Sequence, residues 1–334
     1  MKQVSGATVR RVVRNLLGGA EYAGLRAVSK ILPGPLRGFR ELQPNEVTWR
    51  ANERFVATLD DGEVFSDYGV ILNDRMLISD LSPMMGSRKI EEHEALCKYF
   101  LGHTTLVSGP VAVISSHAHQ RYFHWMFDVL PRIEILRQSG LEFSRLVANT
   151  ELGFQRETLA AVGGNDAISP QPHNRIRAKK LLVPSLPGIL GVPSHFAIEF
   201  LRRSFGLEAR PYRKLYVARG DALTRRVCNE AEVIEALPGF EVVLLDGMSV
   251  AGQARLFAEA ALVVGPHGAG FTNAVFMKSG TRMIEFMPQT YFNNCFEAIA
   301  LDIGIRYHRI ECESFGAPNH DMLVNLSLIK KSLN

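Results

Sequence analysis

No apolar run in this 334-residue chain approaches the ~20 residues that a membrane span needs, and no compact apolar segment with a small-residue cleavage site opens it. The sequence therefore reads as a cytoplasmic globular protein. Cysteine is scarce: Cys97, Cys228, Cys295 and Cys312 are widely spaced with no C-x-x-C pair, which excludes a zinc knuckle and a disulfide framework and leaves them as buried small residues. There is no D-x-D, and Asp60-Asp61 before Gly62 is turn chemistry, so capture of a diphosphate through a divalent metal has no support and no cofactor is expected. A Walker lysine is missing, and no G-x-G-x-x-G opens the first βα turn, which argues against a kinase and a dehydrogenase. Internal repeats and low-complexity tracts are absent.

An excess of one charge is also missing from most of the chain. Net charge is +4, but residues 1–40 hold eight Lys and Arg against one Glu, so everything after them is slightly acidic. This gives no reason to expect a nucleic-acid partner. Within that basic arm, apolar residues recur at near-helical spacing from Val9 to Leu32, interrupted by Gly18, Gly19 and Gly24 and ended by Pro33-Gly34-Pro35. Residues 9–32 suit either peripheral contact with an anionic membrane surface or a packed terminal helix.

What the chain does contain is a regular alternation of apolar runs and helical patterns, the rhythm of an α/β fold. Alternating positions over 46–80 suggest two hairpins, one turning at Asp61-Gly62 and the other at Asn73-Asp74. Strand Val111–Ile114 precedes a helical pattern from Tyr122, on which His124 and Asp128 are four apart and share a face, with Pro131 as a kink or a start. Further helices are expected near Gln155–Val162 and His195–Phe205, with a Pro- and Gly-rich loop at Ser185–Pro193 between them. The second half opens with strand Lys214–Ala218 and the basic turn Arg219–Arg226, continues with a helix from Asn229 to Leu237 carrying a capping box to Glu232, and reaches strand Glu241–Leu245 and a helix over Ser249–Ala260.

Then comes the most informative stretch. Leu262-Val263-Val264 runs into Gly265-Pro266-His267-Gly268-Ala269-Gly270, a helical pattern through Asn273, and the apolar run Arg282–Phe286, which together read as a βαβ unit. Three glycines in six residues let backbone approach a ligand, and the following helix start favours an anion. In a parallel sheet the strand ends share one edge, so Arg219, His267 and Glu285 are expected to meet there, with Arg219 and Arg225 supplying fixed charge for a pyrophosphate and Glu285 a carboxylate for sugar hydroxyls.

Taken in order, Tyr122-Phe123-His124-Trp125-Met126-Phe127-Asp128-Val129-Leu130-Pro131-Arg132, Leu215–Arg219 with Arg225 and Asn229-Glu230, Gly265–Asn273 and Ile284-Glu285-Phe286 resemble glycosyltransferase family 61, over about residues 60–312. The resemblance implies a GT-B architecture, two Rossmann-like domains facing across a cleft, which divides the chain into an acceptor-side domain at 41–205 and a nucleotide-sugar domain at 206–312, with a basic arm at 1–40 and a tail at 313–334 outside the resemblance. It further implies an inverting transfer from a nucleotide-diphosphate sugar to a glycan or lipid-linked acceptor, in a bacterial-type cytosolic enzyme of surface polysaccharide or capsule synthesis. Arg219, Arg225, His267, Gly268, Ala269, Gly270, Asn273 and Glu285 would serve the donor. His124 would be the catalytic base, with Asp128 as its orienter or as the base itself. Two other readings stay open: a metal-dependent hydrolase using His117, His119, His124 and Asp128, and a non-catalytic sugar- or nucleotide-binding protein.

Overall fold

The computed structural model describes residues 28–31, 54–73, 76–78, 81–83, 103–220 and 222–333. It divides into two compact units, residues 1–197 and 198–334. Most of the basic arm, and Cys97, lie outside the described residues; within the arm, Val28–Ile31 forms strand β1 rather than the end of a helix, pairing antiparallel with Phe55–Thr58.

In the first unit, β2 (Phe55–Phe65), β3 (Val70–Asn73), β4 (Met76–Leu77), β5 (Thr104–Val113), β6 (Arg145–Val147) and β7 (Arg175–Pro184) form one sheet in the order β4-β3-β2-β7-β5-β6, with β1 on β2. Only β7-β5-β6 are parallel; the other half is antiparallel, so this sheet is mixed. Leu181-Leu182-Val183 and Val111-Ala112-Val113 are fully or almost fully buried, the continuous apolar run of strands covered on both faces.

The expected turn at Asp61-Gly62 does not exist, because β2 runs straight through it. A Cβ at Gly62 would lie 2.7 Å from the Leu181 Cβ, so glycine is required by the neighbouring strand, and the chain turns instead at 66–69. The hairpin at Asn73 does form, with Asn73 opposite Met76.

The helical pattern from Tyr122 is a short α1 (Tyr122–His124) that widens into a π-helix (Trp125–Val129), followed by α2 (Arg132–Ser139). Leu130 N–H reaches back five residues to the Trp125 carbonyl at 2.8 Å, and Pro131, which has no N–H to donate, opens α2. Trp125 is locked by its Nε1–H donating to Thr158 Oγ1 at 2.8 Å on α3 (Gly153–Ala161). Arg132 is fully buried and bonds only to backbone: Nη1 donates to the Ile114 and Ser115 carbonyls at 2.8 and 3.1 Å, and Nη2 and Nε to the Pro184 carbonyl at 2.7 and 3.2 Å. It ties α2 to the carboxyl ends of β5 and β7, and burial lowers its pKa to about 9.

In the second unit β8 (Arg213–Val217), β9 (Glu241–Val243), β10 (Ala260–Pro266), β11 (Arg282–Pro288) and β12 (Arg306–Ser314) are parallel in the order β12-β11-β10-β8-β9, with β13 (Met322–Leu323) antiparallel on β12. Among the helices, α4 (His195–Phe205), α5 (Glu230–Glu235) and α6 (Val250–Ala258) fall close to their expected places, while α7 (Cys295–Ile303) and α8 (Leu326–Leu333) were not foreseen in the sequence. The capping box at Asn229 does not form. Its side chain pairs with both the N–H and the carbonyl of Val324, at 3.0 Å each, and so fastens the C-terminal segment. The helix expected after the glycine loop is a 3₁₀ segment, Ala269–Phe276. Cys295 and Cys312 are buried as expected, whereas Cys228 is exposed.

Replacing Arg132 with Met should strand three buried carbonyls and lower stability by about 3 kcal/mol. A urea midpoint equal to the parent's would show that this bolt contributes little.

Candidate active site

The strand order of the second unit reverses between β8 and β10, because β9 returns to one side of β8 and β10 starts the run on the other. Open α/β sheets leave a crevice outside the strand carboxyl ends at that point, where no connection crosses the gap. Arg219 follows β8 and His267 follows β10. The two sites that stood far apart in sequence are therefore brought together by topology alone.

The contact is specific. Arg219 Nη1 and Arg225 Nε both donate to the His267 carbonyl, at 3.0 and 3.1 Å. Arg225, at φ 55, is placed by its own N–H to the Asn319 carbonyl (2.7 Å), and its guanidinium lies 4.9 Å from the Tyr291 ring centroid. Neither arginine has an ion pair among the described residues. Burial, with Arg225 beside it, lowers the Arg219 pKa to about 10, and its buried Nε has no hydrogen-bond partner. Two adjacent guanidiniums with donors to spare have the charge and donor geometry that an anion's oxygens match.

The glycines have a different reason from the one their spacing suggests. A Cβ at Gly268 would sit 1.7 Å from Arg219 Nη1, one at Gly265 2.7 Å from the Val217 carbonyl oxygen, and one at Gly270 2.9 Å from Leu245 Cδ1. The loop is bare so that Arg219 can cross it and β8 can press against it. Tighter 3₁₀ winding follows, and the positive charge here comes from arginine more than from a helix start.

Behind the loop, His267 Nδ1–H donates to Glu285 Oε1 and the Tyr307 hydroxyl to Glu285 Oε2, both at 2.5 Å. Glu285 is 0% exposed, and its two oxygens are taken. The expected contact between Glu285 and sugar hydroxyls is thus corrected: register pairs Glu285 with Gly265, inside the sheet and not at its open edge, and its carboxylate orients His267. Asn273 is corrected likewise. It is fully buried, donating to Gln253 Oε1 (2.7 Å) and the Gly270 carbonyl (3.1 Å), and it braces the loop rather than facing a ligand. Ala269 is exposed.

In the first unit, His124 Nδ1 and Asp128 Oδ2 are 2.7 Å apart across the α-to-π junction. The Gly191 N–H donates to both Asp128 oxygens at 3.2 Å, so the Ser185–Pro193 loop closes over the pair. Burial raises the Asp128 pKa, opposed by His124 and by Gly191. With Nδ1–H directed at the carboxylate, the Nε2 lone pair is left to accept a proton. For the hydrolase reading, His119 Nδ1 is engaged by Gln155 and His124 by Asp128, and among the described residues no group of three His, Cys, Asp or Glu is placed to hold a metal ion.

Sequence reasoning missed Tyr307, Tyr291 and Gly191. Tyr307 was findable, since parallel pairing of β11 with β12 sets Tyr307 opposite Met283 and Arg309 opposite Glu285. Nothing local marks Tyr291 or Gly191.

The sequence around these residues is similar to known proteins. Residues 122–284 fit the family model described as Glycosyltransferase 61, a span that holds His124, Asp128, Arg219, Arg225 and the whole glycine loop. Among curated proteins, the chain is similar to a beta-1,2-xylosyltransferase of Arabidopsis thaliana, 29% identical over 168 residues, covering 43% of this chain and 32% of the relative. It is also similar to beta-1,2-xylosyltransferase RCN11 of Oryza sativa subsp. japonica, 30% identical over 116 residues, or 32% of this chain and 22% of the relative. The chain thus spans about a third or less of the length of these relatives.

Gly268→Ala should push the end of Arg219 aside without unfolding the sheet, because the obstructing atom is the tip of a flexible side chain. Affinity for a nucleoside diphosphate is expected to fall about tenfold, with the melting temperature nearly unchanged. Equal affinity in calorimetry would remove Arg219 from the anion site.

Proposed function

We propose that this protein is a glycosyltransferase that moves a pentosyl or hexosyl group from a nucleotide-diphosphate donor to a glycan or lipid-linked acceptor, with inversion and without a metal. The observation that carries the reading is the pair of guanidiniums on one carbonyl, neither in an ion pair among the described residues, at the β8/β10 switch point, within a span that fits the Glycosyltransferase 61 model. Two relatives named as xylosyltransferases favour a pentosyl donor. The GT-B arrangement and a cytoplasmic setting in surface polysaccharide or capsule synthesis belong to the same proposal and rest on the family resemblance, while contact of residues 9–32 with a membrane rests only on the basic charge and apolar periodicity of that arm.

In this scheme the acceptor hydroxyl attacks the anomeric carbon as the bond to the diphosphate breaks. The acceptor proton passes to His124 Nε2 and the electron pair leaves with the diphosphate, whose growing charge is met by Arg219 and Arg225. Asp128 holds the imidazole tautomer and steadies the imidazolium that forms, as a buried carboxylate can when its partner bonds are short. Gly268 and Ala269 border the diphosphate, and the Glu285–Tyr307 pair keeps His267 still.

His124→Ala should abolish transfer while leaving nucleotide-diphosphate affinity intact, whereas Arg219→Ala or Arg225→Ala should each weaken diphosphate binding by ~1.5–3 kcal/mol, with little effect on nucleoside alone, and should slow transfer as well. Near-normal turnover without His124 would move the base elsewhere. The anomeric proton coupling of the product decides the stereochemistry: retained configuration would defeat the single displacement.

The acid limb of kcat/KM is expected to involve the buried Asp128 carboxylate. Because the working form has a neutral imidazole beside a carboxylate, and burial raises the Asp128 pKa, activity should be lost as pH falls, and Asp128→Asn should change that limb. A pH profile identical to the parent's would detach Asp128 from the chemistry.

A further inference from the structure

A second set of polar groups lies at the carboxyl ends of β5 and β6 and has no part in the mechanism above. A cavity of about 410 Å³ there is lined by Asp67, His119, Gln120, Glu151, Leu152 and Pro172. We infer that it is a saccharide pocket, in which a neutral sugar presents a hydroxyl between His119 and Asp67. The inference deepens the transferase reading, on which it rests only in taking the sugar to be the acceptor.

The chemistry of the gap selects a hydroxyl. Gln155 Oε1 accepts the Leu152 N–H at 2.9 Å, which fixes the orientation of the amide. Gln155 Nε2 therefore donates, to the His119 carbonyl at 3.0 Å and to His119 Nδ1 at 3.2 Å. With Nδ1 accepting, the proton of the neutral ring is on Nε2. Burial lowers the His119 pKa, which keeps the ring neutral even with Asp67 and Glu151 nearby. Nε2 is buried with no hydrogen-bond partner, His119 is 1% exposed, and the closest carboxylate oxygen, Asp67 Oδ2, is 3.9 Å away. A donor and an acceptor too far apart to bond each other leave room for a group that accepts from one and donates to the other, which is the capacity of a hydroxyl.

The remaining walls agree. Glu151 brings a second carboxylate, whose Oε1 accepts from Ser169 Oγ, and Leu152 and Pro172 offer the apolar surface that a sugar ring face covers. Two carboxylates repel a phosphate or a uronate, and among the described residues no group of three His, Cys, Asp or Glu is placed to hold a metal ion, so a neutral hydroxyl compound is the better guest. The pocket is also built to be rigid. Asn149 Nδ2 donates to the Asp67 carbonyl at 2.8 Å, and Gly69, at φ +63, presses the 66–69 turn so closely on β5 that a Cβ would meet the Ser115 carbonyl oxygen at 2.2 Å. Parallel β5 and β6 end here, the usual side for ligands in such sheets.

The test uses the full chain and two independent titrations: methyl glycosides of glucose, galactose, mannose and xylose, followed by saturation-transfer difference NMR, and uridine diphosphate, followed by calorimetry. At least one glycoside should bind, and Asp67→Asn and Gln120→Trp should each weaken it about tenfold or more while leaving uridine diphosphate affinity unchanged. Gln120 is exposed, so its variant fills the cavity without touching the core and decides the matter if Asp67→Asn folds poorly. Nucleotide binding with no glycoside bound overturns the pocket and spares the transferase reading. Glycoside binding that survives both variants places the sugar elsewhere and also overturns it. Glycoside binding that is lost in the variants of a chain that binds no nucleotide keeps the pocket and removes the transferase.

Discussion

One carbonyl oxygen, that of His267, holds the second unit's chemistry together. Two cations approach it at hydrogen-bond distance, and a cation held beside another is unfavourable unless something fixes both. What fixes them is layered. The His267 ring is clamped through Glu285 to Tyr307 on β12, the Asn319 carbonyl positions Arg225, and the missing side chain at Gly268 leaves Arg219 a path across the loop. The repulsion between them is left in place, and in the proposed scheme it is what an arriving diphosphate relieves.

The first unit solves a related problem with the opposite sign. Its buried groups cluster where β5 and β7 end, and Arg132 satisfies three carbonyls there without a counter-ion among its hydrogen-bond partners. That lets α2 begin at Pro131 in a fixed place, and the π-turn just before it absorbs the extra residue between His124 and the rigid part of the helix. A π-turn is a weak stretch of backbone by itself. Here Trp125, Met126 and Phe127 are almost fully buried on it, so packing holds a geometry that propensity would not choose.

How much of this could be read beforehand divides along physical lines. The alternation of strands and helices was legible because periodicity is local, and it carried the α/β class and the meeting of Arg219 with the His267 loop. The His124–Asp128 contact was legible too, though the reason, an α-helical face, was only approximate. Gly62 misled because glycine after aspartates also marks turns, and only the neighbouring Leu181 shows that crowding put it there. Glu285 and Asn273 misled because chain order places them near the loop but says nothing of depth; the first is sealed by a histidine and a tyrosine, the second by a glutamine 20 residues away. Tyr291, Gly191 and Gln155 act through tertiary contacts that leave no mark on a single sequence.

The crowding of the glycine loop has a consequence for how such a protein can diverge. Gly265, Gly268 and Gly270 each abut β8, the segment following it or Leu245, while His267 is committed on both its ring and its carbonyl. Of the positions from 265 to 270, Ala269 alone is exposed and carries a side chain. Sequence drift has little to work with inside this motif except a single methyl group. On the proposed transferase reading, diversity in what is transferred would therefore accumulate in the flanking turns, and two proteins with identical loops could differ entirely in the sugar they carry.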